Sequence, residues 1–194
     1  MLHAIGRLHG VRLAPRPGLP RGLLLLSLYA PLPDRENELE RARFNTALLD
    51  ITNHLDMQVP TLLLGDFNGS FCPARDYSTT SGRQRPPCPL LVQLLGPGAP
   101  WVDVHATLLP EPLSPTYWGT GANNTQHSSR NDLVLANHAA LALITSATAM
   151  PHIRDGGHSP IAVTLRLDSP AAISWCQPRP RPPALLQLPS AELR

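Results

Sequence analysis

The chain has 194 residues, enough for one domain with a sizeable core, and its formal net charge of +2 is too small to argue for a nucleic-acid surface on its own. All sixteen basic residues are arginines and proline occurs 23 times, a bias that GC-rich coding produces, so the arginine excess assigns no function by itself. Cys72, Cys88 and Cys176 lack paired metal-ligand spacing and cannot all pair with one another, which fits free thiols in a reducing compartment; no apolar run is long enough to span a bilayer, and the first residues do not assemble a signal peptide.

In chain order, a first strand is expected near Leu8 to Leu13, followed by a turn through Pro15, Pro17 and Pro20. Gly22 to Tyr29 reads as a strand buried on both faces, because its leucines do not alternate with polar residues. Tyr29 stands at its end. Leu39, Phe44, Leu48, Ile51 and Leu55 recur at helical spacing and predict a helix over 35–55, N-capped by Asp34, with Arg35, Arg41 and Arg43 on its solvated face. The run Leu62-Leu63-Leu64 predicts a buried strand that ends in Gly65-Asp66-Phe67-Asn68. If the chain stays extended there, Asp66 and Asn68 point to one side and present a carboxylate and an amide to one ligand; the bland alternative is a turn after a core strand.

From Ser70 to Pro89 no periodicity is visible, and Arg75, Arg83 and Arg85 on such a loop are candidate backbone contacts for a phosphate polymer, since arginine offers bidentate bonds to phosphate. The alternative is a solvated loop. Leu90 to Leu95 predicts a short helix, and Trp101-Val102-Asp103-Val104 follows it. Thr116-Tyr117-Trp118 starts a strand, 119–129 reads as a polar hairpin loop, and Asn123-Asn124-Thr125 fits a glycosylation sequon. Asp132, Val134 and Ala136 share one face of the next strand. An acid at the mouth of a buried strand needs a partner, and His158, before the alternating strand Ile161 to Leu165, is the natural one. Residues 169–194, with Pro178-Arg179-Pro180-Arg181-Pro182-Pro183, read as a Pro-rich tail or linker after a domain over 1–168.

Leu28-Tyr29-Ala30-Pro31, Gly65-Asp66-Phe67-Asn68, Arg130-Asn131-Asp132-Leu133 and Gly157-His158-Ser159-Pro160, in this order and spacing, resemble the endonuclease/exonuclease/phosphatase (DNase I-like) superfamily over about Gly22 to Leu167. Leu113 to Trp118 is similar to its non-LTR retrotransposon branch. The resemblance implies a layered α/β sandwich of mixed sheets with flanking helices, and metal-assisted phosphate-ester hydrolysis with Mg²⁺ or Mn²⁺ as cofactor and DNA as partner. It implies that Asp66 and Asn68 position water, phosphorus and metal, that Asp132 holds His158, which contacts the phosphate or takes the proton, and that Tyr29 offers its hydroxyl. A nuclear location and a following reverse transcriptase are implied for full-length retrotransposon relatives; none is seen in these 194 residues.

Two departures stand out. The family's metal-binding Glu and Asn on early strands have no counterpart before Tyr29, as though Met1 began after that part, and Gly157 stands where the family has Asp, leaving Asp155 as the nearest acid. The expectation is therefore a phosphodiesterase that binds its metal weakly, with an inert relative or binding domain as the alternative and a phosphatase of the same superfamily as a further one.

Overall fold

A computed structural model describes residues 6–80, 85–109, 112–121, 124–153 and 155–166, so Arg83, Asn123, Cys176 and the Pro-rich tail lie outside the described residues. Its frame is a five-stranded sheet in which β1 (Leu8–Leu13), β2 (Leu23–Tyr29), β3 (Thr61–Asp66), β8 (Asp132–Asn137) and β5 (Trp101–Asp103) lie side by side in that order. β2 and β3 run parallel, Leu26 beside Leu63 and Tyr29 beside Asp66, whereas β8 is antiparallel to both β3 and β5. A parallel pair needs a long crossover. Here it is α1 (Glu38–Asn53).

The run of leucines on β2 feeds both faces of the sheet. Leu26 and Leu28 pack with Leu63, Leu133 and Leu135 beneath Phe44 and Leu48 of α1 and Leu90, Leu91 and Leu94 of α3 (Pro89–Leu95). Leu23, with Leu62, Val134 and Ala136, packs on the opposite face against Val104 of α4 (Val104–Leu108), Ala140 of α5 (His138–Leu141) and Ala147. Each fully buried leucine contributes about 1.5–3 kcal/mol of burial free energy, so this double-sided filling fixes the strand ends in place. Ala147 lies on β9 (Ile144–Ala149), which pairs with β10 (Ile161–Leu165) in a second, two-stranded sheet. Ile161 and Val163 are only half-buried there and do not join the main sheet.

Several details depart from the expectations. The segment after Ser70 is not structureless: it holds α2 (Pro73–Asp76) and β4 (Tyr77–Thr79), and the supposed hairpin loop supplies strand residues to β6 (Tyr117–Thr120) and β7 (Gln126–Ser129), giving a third sheet in the order β4-β7-β6. The polar strands escape pattern reading because their partners, not their hydrophobicity, define them. Asp34 does not cap α1. The helix begins at Glu38 after Asn37, and the Asp34 carboxylate instead accepts the Asn37 backbone N–H at 2.8 Å, closing the preceding turn. Leu39 is 63% exposed and leaves the apolar stripe.

One backbone constraint sits beside the site. Gly65 has φ of 138°, and a Cβ built on it would stand 1.9 Å from the Leu28 carbonyl oxygen on the neighbouring strand. Only glycine lets β3 approach β2 this closely one residue before Asp66.

Candidate active site

Strands β2, β3 and β8 end at the same edge, where Tyr29, Asp66 and Asp132 lie in register across the sheet. The loop carrying His158 returns to that edge because Ser159 N–H donates to the Thr116 carbonyl and Trp118 N–H donates to the Gly157 carbonyl. Tyr29, Asp66, Asn68 and His158 therefore line one cleft of roughly 850 Å³, joined by Arg41, Tyr77, Arg85, Tyr117 and His127. Tyr29 is 52% exposed, which suits a side chain that meets a ligand and not a core tyrosine.

His158 Nδ1 lies 2.9 Å from Asp132 Oδ2, the pairing expected from the sequence. With the proton on Nδ1 this bond fixes the tautomer and leaves Nε2 as an acceptor. Asp132 borders a smaller hollow with Asp155, and His158 lines both that hollow and the main cleft, so the histidine ring stands between the two. Asp66 is not simply extended with Asn68 beside it. The chain turns into the left-handed region at Asn68, with φ of 46°; its backbone N–H donates to Asp66 Oδ1 at 2.7 Å, and its side-chain amide donates to the Ala30 carbonyl at 2.7 Å. The turn after β3 is therefore present, and it holds the Asp66 carboxylate in place.

Burial raises the Asp66 pKa above the ordinary carboxylate value; the Asn68 N–H pulls the other way, the facing Asp132 raises it further, and His158 and Arg41 lower it. Two carboxylates in register, with a histidine, make the one group of described residues suited to a cation: atoms of Asp66, Asp132 and His158 lie within 4.8 Å of one another. Asp66 and Asp132 are already bonded through Oδ1 and Oδ2 respectively, which leaves the second oxygen of each for a ligand. This donor set fits a divalent ion, since a cation between the two acids would offset both the burial and the facing Asp132 charge that raise Asp66.

Other predicted ligands do not join it. Asp155 is exposed, and its backbone exchanges both hydrogen bonds with His158 across the Gly156-Gly157 turn; its carboxylate is not part of the cation group. Nor is Asn68. Gly157 is not a place waiting for an aspartate: its φ is 88° and a Cβ there would fall 2.5 Å from the Trp118 carbonyl oxygen. Arg75, expected on substrate, is turned inward. It bonds Asp76 at 2.8 Å beside a buried cluster in which Arg130 pairs with Asp76 at 2.9 Å and Asp103 at 2.7 Å. Burial alone would raise Asp76, but Arg75 and Arg130 together hold it below the usual carboxylate range. Of the two described arginines proposed for phosphate, Arg85 lines the cleft, its guanidinium 4.6 Å from the centre of the Tyr77 ring; Arg83 lies outside the described residues.

Arg41 is the residue the sequence reading misplaced. It is half-buried at the cleft, where it donates to the Pro31, Phe67 and Asn68 carbonyls beneath the Asp66–Asn68 turn. A signal existed, because Arg41 precedes Phe44 by three residues and Leu48 by seven, which puts it on their face of the helix. Thr116, fully buried, was also missed; its hydroxyl accepts the Asp132 N–H at 3.0 Å while its carbonyl holds Ser159, so one residue fastens both halves of the dyad.

Strand order, sheet register and the ring of strand ends define a DNase I-like α/β fold. Among solved structures, the chain is similar to the catalytic domain of Xenopus laevis APE2 (TM-score 0.59, 22% identity, 82% of this chain and 55% of that one). An AP endonuclease from Archaeoglobus fulgidus is similar too, with a TM-score of 0.57, 15% identity, and coverage of 74% of this chain and 61% of that one. The chain thus spans a little over half the length of these neighbours. No protein-family profile matches the sequence, and no curated sequence is significantly similar to it.

Proposed function

We propose that the chain is a divalent-metal-dependent phosphodiester hydrolase acting on nucleic acid, nicking DNA as the retrotransposon endonucleases that its motifs resemble do. The observation that supports this most is the convergence of Asp66 with the Asp132–His158 pair at one edge of the sheet, open to a cleft large enough for a nucleotide. The DNase I-like fold, shared with an AP endonuclease and an APE2 catalytic domain, agrees with it.

Asp66 and Asp132 would hold Mg²⁺ or Mn²⁺, with His158 at the edge of the set; when bound, the ion supplies charge neutralisation on the phosphate oxygens. Mg²⁺ demands a near-ideal octahedron and gives up water reluctantly, so a set of two carboxylates suits the less demanding Mn²⁺ better. Asp132 orients His158 so that Nε2 faces the phosphate, where the ring donates to a nonbridging oxygen once protonated. Asp66, steadied by the Asn68 N–H, accepts a hydrogen bond from the attacking water, and Tyr29 offers its hydroxyl to the phosphate. Arg41 offsets part of the negative charge beneath the turn.

A second reading, an inert relative or binding domain, draws on the small donor set: three groups among the described residues, with Asp155 and Gly157 contributing none. The test is nicking of supercoiled plasmid by the purified chain in Mn²⁺ and in Mg²⁺. We expect slow nicking, faster in Mn²⁺, that Asp66→Ala removes. Absence of nicking in either metal establishes the inert reading, and nicking that survives Asp66→Ala rejects the assigned site. Release of inorganic phosphate from a 3′-phosphorylated oligonucleotide without nicking would indicate a phosphatase instead.

A further inference from the structure

The proposed hydrolase leaves one wall of the cleft unexplained. β4, β7 and β6 place Tyr77, Ser129 and Tyr117 in one rung across the three-stranded sheet, and Thr79, His127 and Gly119 in another rung two residues along. Residues two apart on a strand share a face, so both rungs look the same way, into the cleft. Gly119 is what lets the rings lie close: a Cβ there would stand 2.6 Å from the Tyr117 hydroxyl and 2.8 Å from the His127 ring.

The result is a chain of rings that starts at the phosphate site. Tyr117 lies 4.7 Å from His158 between ring centres, His127 lies 5.7 Å from Tyr117, and Tyr77 lies 6.2 Å from His127. The rings are tilted by 35° to 52°, so they do not cover one another's faces, and all three side chains are half-buried, not sealed in the core. Arg85 closes the outer end over Tyr77. A half-exposed π surface of this kind offers a planar ligand a place to stack, and a positive charge at its far end suits a ligand with a second phosphate.

We infer that the face formed by Tyr77, Tyr117 and His127 is a stacking platform for an unpaired nucleobase next to the phosphate held at Asp66 and His158, with Arg85 reaching the neighbouring phosphate. This rests on the phosphodiesterase reading for what occupies the inner site, and it narrows the substrate class to strands whose bases are free or extruded. In an intact duplex the bases stack on one another and cannot meet these rings; a single strand offers a π face at every nucleotide.

The test uses the full 194-residue chain in EDTA, so that binding is read without hydrolysis. Fluorescence anisotropy would compare a labelled ten-nucleotide oligothymidylate, its duplex with oligoadenylate, and a ten-unit abasic-spacer strand of the same charge. The single strand should bind about tenfold tighter than the abasic strand, the usual scale for loss of one stacked base, and tighter than the duplex. Tyr77→Leu with His127→Leu should erase that preference while Tyr77→Phe keeps it. Equal binding of the base-bearing and abasic strands by the parent chain overturns the inference, as does a preference undiminished in the Leu variant. Should that variant fail to fold, the parent decides the matter: a 2-aminopurine in the strand must be quenched on binding, and an unquenched base rejects the platform. Base-dependent binding without nicking in Mn²⁺ would sink the hydrolase reading and leave the platform standing; nicking without base-dependent binding would do the reverse.

Discussion

Arg130 and Asp132 are two residues apart, yet each belongs to a charge cluster of opposite character. Around Arg130, which is 1% exposed, Asp76 and Asp103 meet Arg130 and Arg75, two acids with two cations, all tied by short bonds. Around Asp132 two acids face one another with a histidine and, at the rim, part of Arg41. The first cluster is balanced and sealed; the second is short of positive charge and open to solvent on one side. A cluster that a fold leaves electrically incomplete at a cleft is a place for a ligand, and a cluster it completes is a fastening.

The comparison is easiest to break at Arg130. Arg130→Met removes the buried cation and leaves two buried carboxylates with Arg75 as their one remaining partner in the cluster, which should cost about 3–5 kcal/mol in urea denaturation. A loss below about 1 kcal/mol would mean that water enters the cluster and that it is not a fastening. Asp66→Ala should behave oppositely: hydrolysis in Mn²⁺ falls at least about a hundredfold, about 2.7 kcal/mol of barrier, with stability unchanged or slightly higher because a buried acid with a raised pKa is removed. A large loss of stability instead would make Asp66 structural.

The sealed cluster also carries an acid-sensitive neighbour. His105 on α4 is fully buried with neither ring nitrogen hydrogen-bonded, and burial, helped by Arg130, lowers its pKa to about 4. A histidine whose folded pKa is depressed takes up its proton more readily in the unfolded chain, so stability falls as pH drops below about 6.5 and levels off near 4. Between about pH 7.5 and 5.0 this amounts to about 2 kcal/mol, and His105→Leu should flatten the slope. An unchanged slope in that variant would place the acid sensitivity elsewhere. The smallest effect sharpens the open cluster: at tenfold its Kd, Mn²⁺ should stabilise the parent by about 1.4 kcal/mol and Asp66→Ala by nothing measurable in the same melts.

Much of this was legible in the sequence, and the division is physical. Leu62 to Leu64 announced a buried strand because a continuous apolar run has few other uses, and Asp132 announced a partner because a lone acid at a strand mouth is costly. Arg130 was not legible as the buried member of its motif. Nothing local distinguishes it from Arg75 or Arg85, and its burial depends on Asp76 and Asp103, which lie 54 and 27 residues away in the chain. β4 and β7 were missed for the same reason. Their sequences, Tyr-Ser-Thr and Gln-His-Ser-Ser, are polar, and only pairing makes them strands. Of the rings that line the cleft, Tyr117 lies in the strand start expected at Thr116 to Trp118, whereas Tyr77 and His127 lie on the polar strands β4 and β7.

Gly65 has a consequence for how this site can vary. It carries no functional group, yet a single added carbon collides with the Leu28 carbonyl of the adjacent strand. In a saturation-mutagenesis library scored by nicking, position 65 should be as intolerant as Asp66, with alanine failing like any larger residue. The difference between the two would appear only in the soluble fraction, where Asp66 variants accumulate and Gly65 variants do not. Chemical silence and mutational silence are separate properties, and this glycine has only the first.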